Sequence, residues 1–245
     1  MKTVGIIGGI GPESTIEYYR LIIAGYRARQ TDESYPQIII NSIDLTKLLG
    51  PVTANEPDKA TEYLVTEVQK LERAGADFGV LASNTPHLVF DEVSRRSSLP
   101  LISIVESTRD AALALGLKRI GLFGTRFTMQ ASFYPEVFLP AGMEIIVPAD
   151  DEQSYIHEKY MSDLINGIIL PETRERLLAI VDQMKERDGI EGLILGGTEL
   201  PLILRDSEHH GIPFLDTTKI HVDRIVAELF AADRAALGID TIGGL

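Results

Sequence analysis

The chain is predicted to fold as an α/β protein of two pseudo-symmetric lobes, each a doubly wound parallel sheet, with a cleft between them. Three observations predict it. Compact apolar runs of strand length alternate with helix-length amphipathic runs. The first such run, Val4–Gly8, is continuously apolar and ends in glycines, as a parallel strand buried on both faces requires. The alternation is then repeated: Gly8 returns as Gly124, Gly75 as Gly189, Ser83 aligns with Gly197 and Pro100 with Pro213, at offsets of 116, 114, 114 and 113 residues.

After the first strand, Ser14-Thr15-Ile16-Glu17 matches a capping box, with Ser14 as N-cap and Glu17 reaching back. Ile16, Tyr19 and Ile23 then lie at core-facing helical spacing. Residues 38–43 read as a second strand. Ala60, Leu64, Val68 and Leu71 mark a helix that Gly75 stops. Residues 78–81 and 101–104 read as the third and fourth strands, and Lys118-Arg119-Ile120-Gly121-Leu122-Phe123-Gly124 restarts the pattern. The expected division is a first lobe of residues 1–100 plus about 217–235, a second lobe of 101–216, and a loosely held tail at 236–245.

The 245 residues suffice for one large or two small domains with real cores, and 44% hydrophobic with 24% charged residues is ordinary for a soluble globular protein. No apolar stretch approaches the roughly 20 residues that cross a bilayer, and the amino-terminal apolar run is too short for a signal peptide; a cytoplasmic protein without a membrane partner is expected. A net charge of −13 argues against nucleic acid. An acidic ligand would need local basic groups or helix N-termini. With no cysteine, the chain has neither disulfides nor thiol chemistry.

Ligands of open parallel sheets sit beyond the carboxyl ends of the strands. Those ends carry glycine- and hydroxyl-rich turns. The Gly8–Thr15 turn lacks the third glycine of a dinucleotide loop, since Ser14 stands there, and no Gly-Lys-Ser/Thr of a P-loop is present. It is either a plain strand-to-helix turn or a carboxylate site built from backbone N–H groups and hydroxyls. In Ser83-Asn84-Thr85-Pro86-His87, Thr85 and Pro86 suit a helix start, which leaves Ser83 and Asn84 free for a small polar ligand. A lone serine without an organised base is inert, and His87 is either a packed helix residue or a base. At the matching turn, Gly197 can be neither acid nor base, and Thr198 caps the following helix. Glu199 either serves the helix dipole or, buried, acts as a general base. Thr125 and Thr128 can donate to a carboxylate; Arg126 is a surface charge or a clamp. Lys47 is the best-placed basic group for a second carboxylate. His209-His210, without the spacing of a metal motif, reads as surface, His221 as structural, and no metal site is assigned.

These turns resemble those of the aspartate/glutamate racemases, a family of cofactor-independent amino-acid racemases. The likeness rests on Gly8-Gly9-x-Gly11-Pro12-x-Ser14-Thr15, Asn84-Thr85-x-His87, Gly124-Thr125-x-x-Thr128, Gly196-x-Thr198-Glu199 and Asp216-Thr217, and runs from Met1 to about Phe230. It implies a two-lobed fold, commonly a homodimer, with no pyridoxal phosphate. It implies that Ser14, Thr15, Asn84, Thr85, Thr125, Thr128 and Thr198 hold the substrate. Lys47 lies near the family's basic residue for a distal carboxylate, while Ile165 stands where a second one is expected. The family's two bases are cysteines, at the positions of Ser83 and Gly197 here. Two functions follow as expectations. One is proton transfer at the α-carbon of a small amino or carboxylic acid, or a related one-base isomerisation or decarboxylation, with Glu199 or His87 as base. The other is a non-catalytic ligand-binding homologue.

Overall fold

The computed structural model describes residues 2–30, 32–54 and 56–231; the expected tail at 236–245 lies outside them. The chain divides into two compact units, one of residues 1–82, 89–102 and 221–245, the other of 83–88 and 103–220.

The first unit contains β1 (Thr3–Gly8), α1 (Pro12–Arg27), β2 (Gln37–Ser42), α2 (Leu45–Thr53), α3 (Pro57–Arg73), β3 (Phe78–Leu81), α4 (Phe90–Arg96) and β4 (Leu101–Ile102). All strands are parallel in the order β2-β1-β3-β4. Successive side chains of a strand point to opposite faces, and the core splits accordingly. Ile7 and Leu81 pack on one face with Leu64, Val68 and Leu71 of α3 and Phe90 and Val93 of α4. Val4, Ile6, Phe78 and Val80 pack on the other with Tyr18, Ile22 and Tyr26 of α1.

The second unit repeats the plan. It contains α5 (Ile104–Ala114), β5 (Arg119–Gly124), α6 (Arg126–Gln130), α7 (Phe133–Phe138), β6 (Glu144–Ile146), α8 (Asp150–Ser162), α9 (Pro171–Asp188), β7 (Gly192–Gly196), α10 (Leu200–Ile203), β8 (Glu208–His209) and β9 (Ile212–Asp216). The order is β6-β5-β7-β9, again second-first-third-fourth, with β8 added antiparallel at the edge. Phe123, Leu193 and Leu195 face α8 and α9, while Ile120, Leu122, Ile194 and Leu215 face α5 and α7. Helix α11 (Thr217–Leu229) follows β9, and its Val222, Ile225, Val226 and Leu229 belong to the core of the first unit. Both sheets therefore carry helices on both faces, the doubly wound arrangement.

Helix α1 departs from expectation twice. It begins at Pro12, with Gly11 as N-cap, so Ser14 lies inside the first turn and forms no capping box. Proline presets the helical φ at the first position, and the Ser14 hydroxyl instead donates to the Ala82 carbonyl at 3.2 Å. The buried face is Tyr18, Ile22 and Tyr26, while Ile16 and Tyr19 are 57% and 49% exposed. Two apolar stripes compete on this helix, and the one bearing two large rings covers the sheet. The fourth strand is also shorter than expected, because Ser103 caps α5 by accepting from the Val105 and Glu106 N–H groups.

Candidate active site

The strand ends of both sheets bring threonines under tight turns in the same way. At β1 the Thr15 hydroxyl accepts from the Gly9 N–H at 2.9 Å, and an added Cβ on Gly8 would lie 2.8 Å from that hydroxyl oxygen. At β5 a Cβ on Gly124 would lie 2.9 Å from the Cβ of Thr128. Glycine at both strand ends is what allows the helix to close on the strand. Thr125 caps α6 by accepting from the Thr128 N–H at 3.3 Å, and its hydroxyl lies 3.2 Å from that of the buried Thr128. In the first unit Lys47 is exposed on α2. Burial pushes the Glu67 carboxyl up, but hydrogen bonds from Lys70 and Asn41, then the charges of Lys70 and Lys47, hold it below the usual carboxylate range.

The segment Ser83–Leu88 belongs to the second unit and is tied to the end of β7 by a chain of hydrogen bonds. The Tyr134 hydroxyl donates to Asn84 Oδ1 at 2.7 Å. Asn84 Nδ2 donates to Thr217 Oγ1 at 3.2 Å, and that hydroxyl donates to the Leu195 carbonyl at 2.9 Å. Asn84 is 3% exposed. Its amide keeps one N–H and one carbonyl lone pair beyond these bonds. The two matched turns are thereby joined, through residues far apart in sequence.

His87 is buried within a 3₁₀ turn, Thr85–Val89, rather than on an α-helix. Thr85 is half-buried in that turn. His87 Nε2 accepts from the Ile104 N–H at 3.2 Å, so the proton resides on Nδ1, which donates to the Ser83 carbonyl at 3.1 Å. The ring thus fixes the backbone of Ser83 and leaves its hydroxyl without an organised base; among the described residues that hydroxyl has no hydrogen-bond partner.

At the other turn Gly197 faces Tyr160 of α8. A Cβ on Gly197 would come within 2.8 Å of the Tyr160 hydroxyl and 2.9 Å of the ring carbon bearing it. That hydroxyl donates to the carboxylate of Glu199, which is 7% exposed and also accepts from the Thr198 hydroxyl at 2.8 Å. Burial, then the Glu199 charge and its hydrogen bond, raise the Tyr160 hydroxyl well above its ordinary range. Thr198 therefore serves a carboxylate rather than capping a helix, and Glu199 occupies the N-cap position of α10. Gly197→Cys should overpack against Tyr160 and cost about 1–3 kcal/mol, with Gly197→Cys/Tyr160→Ala recovering part of it. Urea unfolding measures both, and a Gly197→Cys variant as stable as wild type would contradict the contact.

Comparison with known proteins agrees with this plan. A family model described as Asp/Glu/Hydantoin racemase matches residues 7–225. The chain belongs to this racemase family. It is 26% identical over 223 residues to the broad specificity amino-acid racemase RacX of Bacillus subtilis, covering 88% of this chain and 92% of the relative. An aspartate racemase homologue from Pyrococcus horikoshii superimposes with a TM-score of 0.79 at 35% identity, over 94% of this chain and 99% of that one. The aspartate racemase of Picrophilus torridus shares the fold, with a TM-score of 0.74 at 20% identity over 95% and 94% of the two chains. No helix among the described residues of this racemase-family chain is long and apolar enough to cross a membrane.

Sequence patterning missed Tyr134 and Tyr160, and gave Thr217 and Thr218 no site role. Asp216 and Thr217 belong to a recognisable motif, but neither tyrosine carries a local signal. Thr218 is 4% exposed and its hydroxyl has no partner among the described residues.

Proposed function

We propose that this chain binds a small amino or carboxylic acid at the strand-end turns of its second unit and exchanges the proton at the α-carbon without pyridoxal phosphate. The Tyr160–Glu199 pair takes the place of the thiol that the family resemblance puts at position 197. The observation that carries this reading is the Tyr160 hydroxyl, standing 2.8 Å from where a Cβ of residue 197 would be and hydrogen-bonded to a buried carboxylate. Tyr160 itself is held protonated by burial and by Glu199, so it is not a resting phenolate base. In the proposed step the Tyr160 oxygen takes the α-proton while its own proton passes to Glu199. This leaves a neutral carboxylic acid and a substrate carbanion, and reversal returns a proton to the same face.

Asn84, whose amide keeps one N–H, and Thr85, Thr125 and Thr128, all of the second unit, are the proposed donors to substrate carboxylate. The hydroxyls of Ser14 and Thr15 donate instead to the Ala82 and Gly11 carbonyls, and that of Thr198 to Glu199. The partnerless hydroxyl of Thr218 supports an anionic ligand, since a buried donor without a partner is costly and a bound carboxylate would satisfy it. In this reading the chain works on a free small molecule, as a homodimer in line with the resemblance.

Proton NMR of L- and D-aspartate, glutamate and alanine with the protein in D₂O tests it. The α-proton signal of at least one should fall above a no-protein control; no exchange over days at saturating ligand would overturn catalysis. The second reading, a binding protein without catalysis, is favoured by the two engaged nitrogens of His87 and the baseless Ser83, and is what that outcome would leave.

A further inference from the structure

We propose that Asp182, His209 and His210 form a site for a divalent transition-metal ion of the zinc type, independent of the reaction above. All three lie in the second unit: Asp182 on α9, His209 on β8, and His210 in the turn that joins β8 to β9. Asp182 Oδ2 lies 3.1 Å from His209 Nε2, and Asp182 Oδ1 lies 2.9 Å from His210 Nδ1. The donor atoms all fall within 4.8 Å of one another. Zinc bonds of about 2.0–2.2 Å to nitrogen and oxygen place neighbouring ligand atoms of a tetrahedral site about 3.3 Å apart. The two imidazole-to-carboxylate separations are already close to that, each to a different oxygen of Asp182, and side-chain rotation would bring both rings onto one ion.

The backbone explains how adjacent residues reach one carboxylate. Neighbours in a strand point to opposite faces, so His209 and His210 should diverge. They do not, because His210 has φ 48 and Gly211 φ 80, the pair of left-handed residues of a tight two-residue hairpin turn. His210 is the only non-glycine residue with positive φ among those described. Asparagine or glycine would take that position more easily. A histidine there swings its ring back beside His209, with centroids 4.0 Å apart. Lys185 of α9 then donates to the His210 carbonyl at 2.7 Å and holds the hairpin against the helix. Two imidazoles on a fixed hairpin and one carboxylate on α9 are a donor set for zinc, nickel or cobalt and a poor one for magnesium or calcium, which prefer oxygen. His209 is 18% exposed at the side chain, Asp182 37% and His210 68%, so the remaining coordination positions open to water. The cluster has no local sequence signal, because Asp182 lies 27 residues before His209.

Isothermal titration of the full, untagged, metal-stripped chain with zinc chloride tests the proposal. One zinc per chain is expected. Asp182→Asn and His210→Asn should each weaken binding beyond the about 10–100-fold that loss of an outer-shell partner causes. His210→Asn keeps a residue suited to the left-handed turn, so circular dichroism should show the fold intact. Magnesium should give no comparable heat. Absence of stoichiometric zinc binding, unchanged affinity in both variants, or equal binding of magnesium would each overturn the site.

Discussion

Glu199→Gln should lower α-proton exchange by about 10²–10⁴-fold, the contribution of one positioned acid–base group, while ligand binding changes far less. Glutamine is close in size and can still accept from the Tyr160 and Thr198 hydroxyls that now meet at Glu199. The contacts of α10 and α8 survive, but the acceptor for the relayed proton is gone. Tyr160→Phe removes the relay and keeps the carboxylate, so it should also slow exchange. Because the tyrosine hydroxyl is pushed high by burial and by Glu199, the exchange rate should not rise with pH through the neutral range as it would for a thiolate. Rates from the α-proton signal at saturating ligand measure both effects. Glu199→Gln exchanging at the wild-type rate would rule out the Tyr160–Glu199 relay.

The second large effect concerns stability. His221 on α11 is fully buried. Its Nδ1 lies 2.8 Å from the Tyr18 hydroxyl of α1 and its Nε2 3.0 Å from the Ile102 carbonyl of β4. A carbonyl can only accept, so Nε2 carries the proton and the ring is neutral, with Tyr18 donating to Nδ1. Burial pushes its pKa down to about 4, against a smaller opposing effect of the Ile102 carbonyl. The unfolded chain, with an ordinary histidine near pH 6.5, then binds the proton more readily than the folded one. Stability from this group is therefore complete above about pH 6.5 and is lost as pH falls toward 4. The loss is roughly 3 kcal/mol. His221→Gln should be less stable at pH 7.5, and its deficit against wild type should shrink by roughly that amount at pH 4 in urea titrations. A deficit independent of pH would show that His221 is not held neutral.

Much of the architecture was legible because strand-length apolar runs and the repeated landmarks are local signals. β3 appears at residues 78–81 as expected, and the helices before Gly75 and Gly189 end where those glycines stand. What failed depended on contacts between distant residues. Nothing near Ile16 and Tyr19 tells that the Tyr18, Ile22, Tyr26 stripe meets the sheet and α11. The site was legible as a set of turns, since Asn84, Thr125, Thr198 and Glu199 lie in short motifs. Its chemistry was not, because the whole of α9 and β7 lies between Tyr160 and Gly197, and Tyr134 meets Asn84 across 50 residues. His87 shows the converse: its motif suggests a base, while its two backbone hydrogen bonds make it a brace for Ser83.

The most direct measurement is the ratio of α-deuterium incorporation to inversion in one D₂O reaction, read by NMR for deuterium and by chiral chromatography for configuration. A relay on one face, with no base organised on Ser83, predicts that deuterium enters the starting enantiomer much faster than its mirror image appears, and that Ser83→Cys narrows the gap. Equal rates of exchange and inversion in the wild-type protein would contradict the account, because they require a second working base.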